Sequence, residues 1–315
     1  MSKVGGGRNF GWGKQMAWAG KQAVKSAFGS GHFGTVASHA ARWRKFCEWA
    51  REQGIRDARD LSTAELERFA NGLAQQCGKE ISVGYAKNQL TTVNVVMESL
   101  RGDRSLWLKP GDYLGNRSGV RTRAPGAINR DRVGTVANKL IDQGKERVAA
   151  AGLLCRELGL RRKEASLLDL RLAKHQAETL GRVNITAGTK GGRGRYVDRW
   201  VPVSENSKLA INFATKAAGG GLTLIPAGQS LAQWLTKVSK EWSSAAASVD
   251  LGTLRDLRAA YACDRYAQIT GTAAPVVAGS RLADKDIDQS ARQVLSQELG
   301  HNRVDVVAAY VGSSR

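Results

Sequence analysis

Acidic residues are scarce in this chain. Asp and Glu together number 28 against 48 Lys and Arg, a formal net charge of +20 over 315 residues. A surface so short of carboxylates disfavours basic partners and favours a polyanion, of which nucleic acid is the usual one. Cysteine is equally sparse. Cys47, Cys77, Cys155 and Cys263 lie far apart with no CxxC pair, which argues against both a disulfide framework and a cysteine zinc site. Each sits among apolar neighbours, as reduced buried thiols do. No apolar run approaches the roughly 20 residues a membrane span needs. Met1–Gly5 leads into no apolar segment of the signal-peptide kind, so a cytoplasmic protein is expected.

What is present is helical periodicity, in a length that suits two domains. Residues 1–34 are Gly-rich and basic with interspersed aromatics, and read as an N-terminal arm in which Gln15–Ala27 forms a short helix. Over Thr35–Glu52, Val36, Ala40, Trp43, Phe46, Cys47 and Ala50 recur at helical steps. Ser62 with Glu65 forms a capping box opening a helix to about Gln76, and Ser82–Arg101 gives another. Residues 35–105 therefore form a small helical domain. Residues 106–128 carry Pro110, Gly111, Gly115, Gly119 and Pro125, and read as an interdomain linker. From 129 to 315 helices return at Asn129–Gln143, Glu146–Leu158, Glu164–Leu172, Leu231–Trp242, Leu254–Ile269, Ser290–Leu299 and Val304–Val311. One antiparallel hairpin, Arg182–Thr186 with Arg195–Val203, is set among them. The fold class is mainly α, with a small β-hairpin in the second domain.

Cutting a DNA strand without metal requires fixed cations on the non-bridging phosphate oxygens, a nucleophile, and an acid for the departing sugar oxygen. The second domain offers such a set in Arg161, Lys190, Arg258, His301 and Tyr310. These stand in Gly159-Leu160-Arg161-Arg162-Lys163-Glu164, in Gly188-Thr189-Lys190-Gly191-Gly192-Arg193 followed by Val201-Pro202-Val203, in Asp256-Leu257-Arg258, and in Leu299-Gly300-His301 nine residues before Tyr310.

In order and spacing these boxes resemble those of the tyrosine recombinases, the phage-integrase type of site-specific recombinase. The resemblance covers residues 129–315 by motif and residues 35–102 by helical pattern. It implies a SAM-like core-binding domain ahead of a catalytic domain. It also implies DNA integration or recombination through a 3′-phosphotyrosine, with no metal, ATP or other cofactor. Tyr310 would be the nucleophile, Arg161 and Arg258 the phosphate clamp, Lys190 the acid, His301 a phosphate donor, and Glu164 the brace of the cations. Arg255 stands where the family commonly has a histidine, so proton removal from Tyr310 would fall to another group or to electrostatics. The stretch between Arg258 and His301 is long, and residues 270–289 read as an inserted loop. Five residues after Tyr310 leave little for the tail exchange between protomers that many relatives use.

The implied partner is double-stranded DNA at specific sites, bound by a homotetramer, with accessory DNA-bending or directionality proteins. Candidate DNA contacts are Arg42, Arg44, Lys45, Lys87, Arg117, Arg121, Arg123, Arg162, Arg193 and Arg195. Arg193 and Arg195 compete with Lys190 on the hairpin, and Arg162 with Arg161. A type IB topoisomerase-like relaxase and a DNA-binding regulator derived from a recombinase are the alternative functions.

Overall fold

A computed structural model describes residues 6–314, the side chain of Arg195 excepted. Residues 1–5 of the expected arm, and the Arg195 side chain among the expected DNA contacts, lie outside the described residues. The chain divides into two units, 1–118 and 119–315.

Unit 1 is a helical bundle: α1 (Met16–Phe28), α2 (Phe33–Glu52), α3 (Thr63–Gln76), α4 (Val83–Arg101) and the short α5 (Pro110–Leu114). The expected capping box opens α3, where the Glu65 carboxylate accepts the Ser62 amide at 3.0 Å. Trp43 and Phe46 of α2 stack at 4.9 Å, and Phe69 of α3 meets Phe46 edge-on at 4.9 Å. These rings form the centre of the core.

Residues 6–34, expected as an arm, are instead part of this bundle. Met16, Ala19, Ala23 and Val24 of α1 are buried in its core, and the buried Trp43 indole donates to the Met16 carbonyl at 2.9 Å. The helical stripe of small apolar residues on α1 is what commits it to packing. The expected linker also contracts. Leu108 and Leu114 belong to the unit 1 core, and Asn94 clamps Leu108 through both its amide atoms. On the other side, the Arg121 amide donates to Ala308, inside unit 2.

Unit 2 surrounds α7 (Glu146–Glu157), which packs against α6 (Arg130–Asp142), α10 (Glu205–Ala217), α11 (Leu231–Ala246) and α12 (Leu254–Thr270). A run of small residues, Ala149 to Gly152, is buried in α7 and lets these neighbours approach from several sides. The expected short helix at 164–172 is two, α8 (Arg162–Leu167) and α9 (Leu170–Leu180). They part at Asp169, whose carboxylate caps α9 by accepting the Leu172 amide at 2.9 Å. Helix α10 was not expected; Ser204 caps it, accepting the Ser207 amide at 3.2 Å.

The hairpin is shorter than its alternation suggested: β1 (Arg182–Asn184) pairs antiparallel with β2 (Trp200–Pro202), Val183 opposite Val201. Residues 190–195 form a tight turn between them, with Gly191 and Gly192 at φ 69° and 71°. Residues 270–289 are not one loop. They contain α13 (Pro275–Ala278) and the first turn of α14 (Lys285–Glu298). The last element is α15 (Ala308–Val311). Among the described residues no helix is long and apolar enough to cross a membrane.

Candidate active site

The site is built around a carboxylate that solvent does not reach. Glu164, in the first turn of α8, is 0 % exposed and accepts the Arg161 amide at 2.7 Å. Three guanidinium groups converge on it: Arg161 at 2.5 Å, Arg199 at 2.9 Å and Arg258 at 3.5 Å. Burial pushes its carboxyl up, but Arg199, Arg258 and Arg161 outweigh that and hold it down at about 2. Glu164 therefore stays ionised. One negative charge against three positive leaves a surplus of two, fixed in place before any substrate arrives.

Arg258, on α12, is 2 % exposed. It donates to the Gly159 carbonyl and, at 2.5 Å, to the Leu299 carbonyl. Its Nε donates to the Tyr310 hydroxyl at 3.3 Å, and its guanidinium lies 5.4 Å from the Tyr310 ring centre. Arg161 shares the Leu299 carbonyl at 3.3 Å. Each arginine is thus held by acceptors from separate elements.

His301 completes the cluster. Its Nε2 lies 3.1 Å from the Tyr310 hydroxyl, 3.3 Å from Arg161 and 3.4 Å from Arg258. Two arginines can only donate, so Nε2 must be the unprotonated, accepting nitrogen, and the ring proton sits on Nδ1. Burial first, then Arg161, Arg258 and Arg199, lower the imidazole to about 4, against a smaller opposing pull from Glu164. The ring is neutral at pH 7 and offers its lone pair toward the Tyr310 O–H. Tyr310 itself is 7 % exposed.

Two cavities open onto this cluster. One, of about 580 Å³, is lined by Tyr310, Arg258, Arg255, Arg162 and Arg161. The other, of about 310 Å³, is lined by Lys190, Arg193, Arg199, Asn302 and again Arg161. Arg161 is common to both; Tyr310 faces one and Lys190 the other.

The structure therefore brings Arg161, Glu164, Arg258, His301 and Tyr310 into one connected cluster. Lys190, on the exposed turn, and Arg255, exposed on α12, join them by lining one each of the two cavities. Arg44, Arg117, Arg123 and Arg193 are exposed. Arg42 donates to Thr92 at 3.3 Å and Lys45 to the Tyr85 hydroxyl at 2.8 Å, while Lys87 is half-buried. Arg162 donates to the Ser239 hydroxyl. Arg121, expected on phosphate, instead pairs with Asp256 at 2.6 Å and donates to the Arg123 carbonyl at 2.7 Å. It is committed to the fold.

Sequence reasoning missed Arg199. It is 5 % exposed, touches Glu164, and donates to the Glu298 carbonyl at 2.7 Å. Its signal was present: in the alternation of the strand it shares a face with Val201, which is fully buried. A charged residue on an inward face implies a buried partner.

Residues 115–264 match the family model described as Integrase. That segment, a little under half of the chain, is similar to the integrase family. It carries Arg161, Glu164, Lys190 and Arg258, while His301 and Tyr310 lie beyond the match. A search of curated protein sequences finds no match. Among solved structures, the chain resembles a lambda integrase dimer bound to a COC′ core site, at 16 % identity and TM-score 0.56, with 94 % of this chain and 76 % of the other covered. It resembles the Tn1549 transposon integrase in complex with a circular intermediate DNA at 12 % identity and TM-score 0.56, with 95 % of each chain covered. A lambda integrase tetramer bound to a Holliday junction follows at 17 % identity and TM-score 0.53, covering 90 % of this chain and 76 % of the other. The fold is that of these integrases, and the segment that matches the Integrase model carries five of the seven residues of the cluster, Arg199 included.

Proposed function

We propose that the protein is a site-specific DNA recombinase that cuts and rejoins strands through a covalent link to Tyr310. The observation that carries this is the Tyr310 hydroxyl held between Arg258 Nε at 3.3 Å and His301 Nε2 at 3.1 Å, beside a fixed surplus of positive charge.

The Tyr310 oxygen attacks phosphorus and the P–O5′ bond breaks. Arg161 and Arg258 donate to the non-bridging oxygens, where transition-state charge grows. The Tyr310 proton passes toward His301 Nε2, and the neighbouring guanidiniums stabilise the phenolate as it forms. Arg255 cannot take that proton, being a permanent cation, and serves phosphate binding in the Tyr310 cavity. Lys190, from its own cavity, protonates the leaving 5′ oxygen. The product is a 3′-phosphotyrosyl link and a free 5′ hydroxyl. The reverse attack, by a 5′ hydroxyl of either strand, rejoins DNA with no cofactor. The chemistry is completed on paired sites by a tetramer of the chain, in the cytoplasm, with accessory proteins setting direction.

The test is a nicked suicide duplex carrying the junction sequence that flanks the gene. The protein should form an adduct that survives denaturing electrophoresis, and Tyr310→Phe should form none. An adduct with the Phe variant would place the nucleophile elsewhere.

A further inference from the structure

Two residues beyond Tyr310 the backbone is gripped by a buried guanidinium. Arg292, on α14, is 4 % exposed. Its Nη1 donates to the Gly312 carbonyl at 3.0 Å and its Nη2 to the Ser313 carbonyl at 2.9 Å. The other edge of the fork is fixed: Nε lies 2.9 Å from both oxygens of Asp288, and the Tyr266 hydroxyl donates to the same carboxylate at 2.7 Å. A second contact holds the segment from another side. Gly312 takes φ 91°, and a Cβ there would stand 2.7 Å from the Val276 amide nitrogen of α13. Helix α15, which carries Tyr310, has four residues. A helix so short does not hold its own shape, so the place of the Tyr310 hydroxyl is set by what grips its flanks.

We propose that Arg292 is a positioning residue for the nucleophile. Working with α13, it latches residues 312–313 so that the Tyr310 oxygen is presented to phosphorus. This rests on the reading of Tyr310 as nucleophile. Arginine suits the task because its rigid fork reaches two carbonyls at once while a carboxylate holds its remaining edge, which a lysine ammonium on a flexible stem does not reproduce. The stretch 270–289, read in the sequence as an inserted loop, acquires a purpose: its α13 is the second jaw of the latch.

The experiment compares the full chain with Arg292→Met, Arg292→Lys and Gly312→Ala on the suicide duplex. Duplex affinity, the rate of adduct formation at saturating protein, and thermal melting are measured for each. Misplacing a reacting atom by about 1 Å costs on the order of 100-fold in rate, so Arg292→Met should bind as the parent does and cleave about that much more slowly. Arg292→Lys, keeping one donor, should recover part of the loss. Gly312→Ala, with Arg292 intact, should reproduce it. Nitration of Tyr310 by tetranitromethane should quicken in Arg292→Met, reporting a released segment independently of cleavage. Cleavage at the parent rate in Arg292→Met or Gly312→Ala overturns the inference, as does a loss of affinity that accounts for the whole loss of cleavage. If Arg292→Met does not fold, Arg292→Lys and Gly312→Ala decide. Absence of an adduct with the parent protein sinks the nucleophile reading and the latch with it; a parent adduct indifferent to Arg292 sinks the latch alone.

Discussion

At the scale of single residues the site is a problem in protonation. His301 is held neutral by burial and by three nearby arginines, down to about 4 from an ordinary 6.5. Glu164 is held ionised, down to about 2 from 4.5. Both groups bind fewer protons folded than unfolded, so both make stability fall with acid. For His301 the contribution is complete above pH 6.5 and lost as pH falls toward 4. For Glu164 it is complete above 4.5 and lost toward 2. The expected result is a His301 ring resonance in the free protein that titrates near pH 4, with melting temperature declining in step from about pH 6.5 downward. A His301 midpoint close to 6.5 would mean that the arginines do not surround the ring as described.

At the scale of elements, small residues decide where helices meet. Gly152 of α7 faces the buried indole of Trp242 of α11 so closely that an added methyl would overlap the ring. Gly152→Ala gains helix propensity but forces apart two core helices, and overpacking of this kind costs about 1–3 kcal/mol. The substitution should lower the denaturant midpoint; an unchanged or raised midpoint would show that α11 yields without cost. Legibility in the sequence follows the same logic. Helices with one apolar stripe and a capping signal, such as α3 with Ser62 and Glu65, were readable to within a residue. Helix α10 was not, because Ala210, Ile211 and Ala214 follow directly on the strand-like run through Val203 and blur the change of period. The arm and the linker were read from their glycines and charges. What ties residues 6–34 and the first part of the linker to unit 1 is Trp43 reaching Met16 and Asn94 reaching Leu108, contacts across 27 and 14 residues that no local pattern shows. At the site, Arg161, Lys190, Arg258, His301 and Tyr310 were legible as a set in order, whereas Arg199 and Arg292 were not. Their roles exist only through partners brought in by the fold.

At the scale of the molecule, +20 of net charge predicts affinity for DNA that is largely electrostatic and sensitive to salt. The structure separates the cations that are free for this from those already engaged. Arg44 is exposed, whereas Arg121 is paired with Asp256. On the proposal that Arg44 meets phosphate, Arg44→Ala should make the plot of log affinity against log salt shallower by about one unit. Arg121→Ala should leave the slope as it was and lower the melting temperature instead. Equal effects on the slope would remove this distinction between the two arginines. The two cavities that meet at Arg161 carry a further consequence. On the proposed mechanism the covalently held 3′ end would stay on the Tyr310 side of Arg161 and the released 5′ end would leave on the Lys190 side, so that holding one end and trading the other would use separate openings.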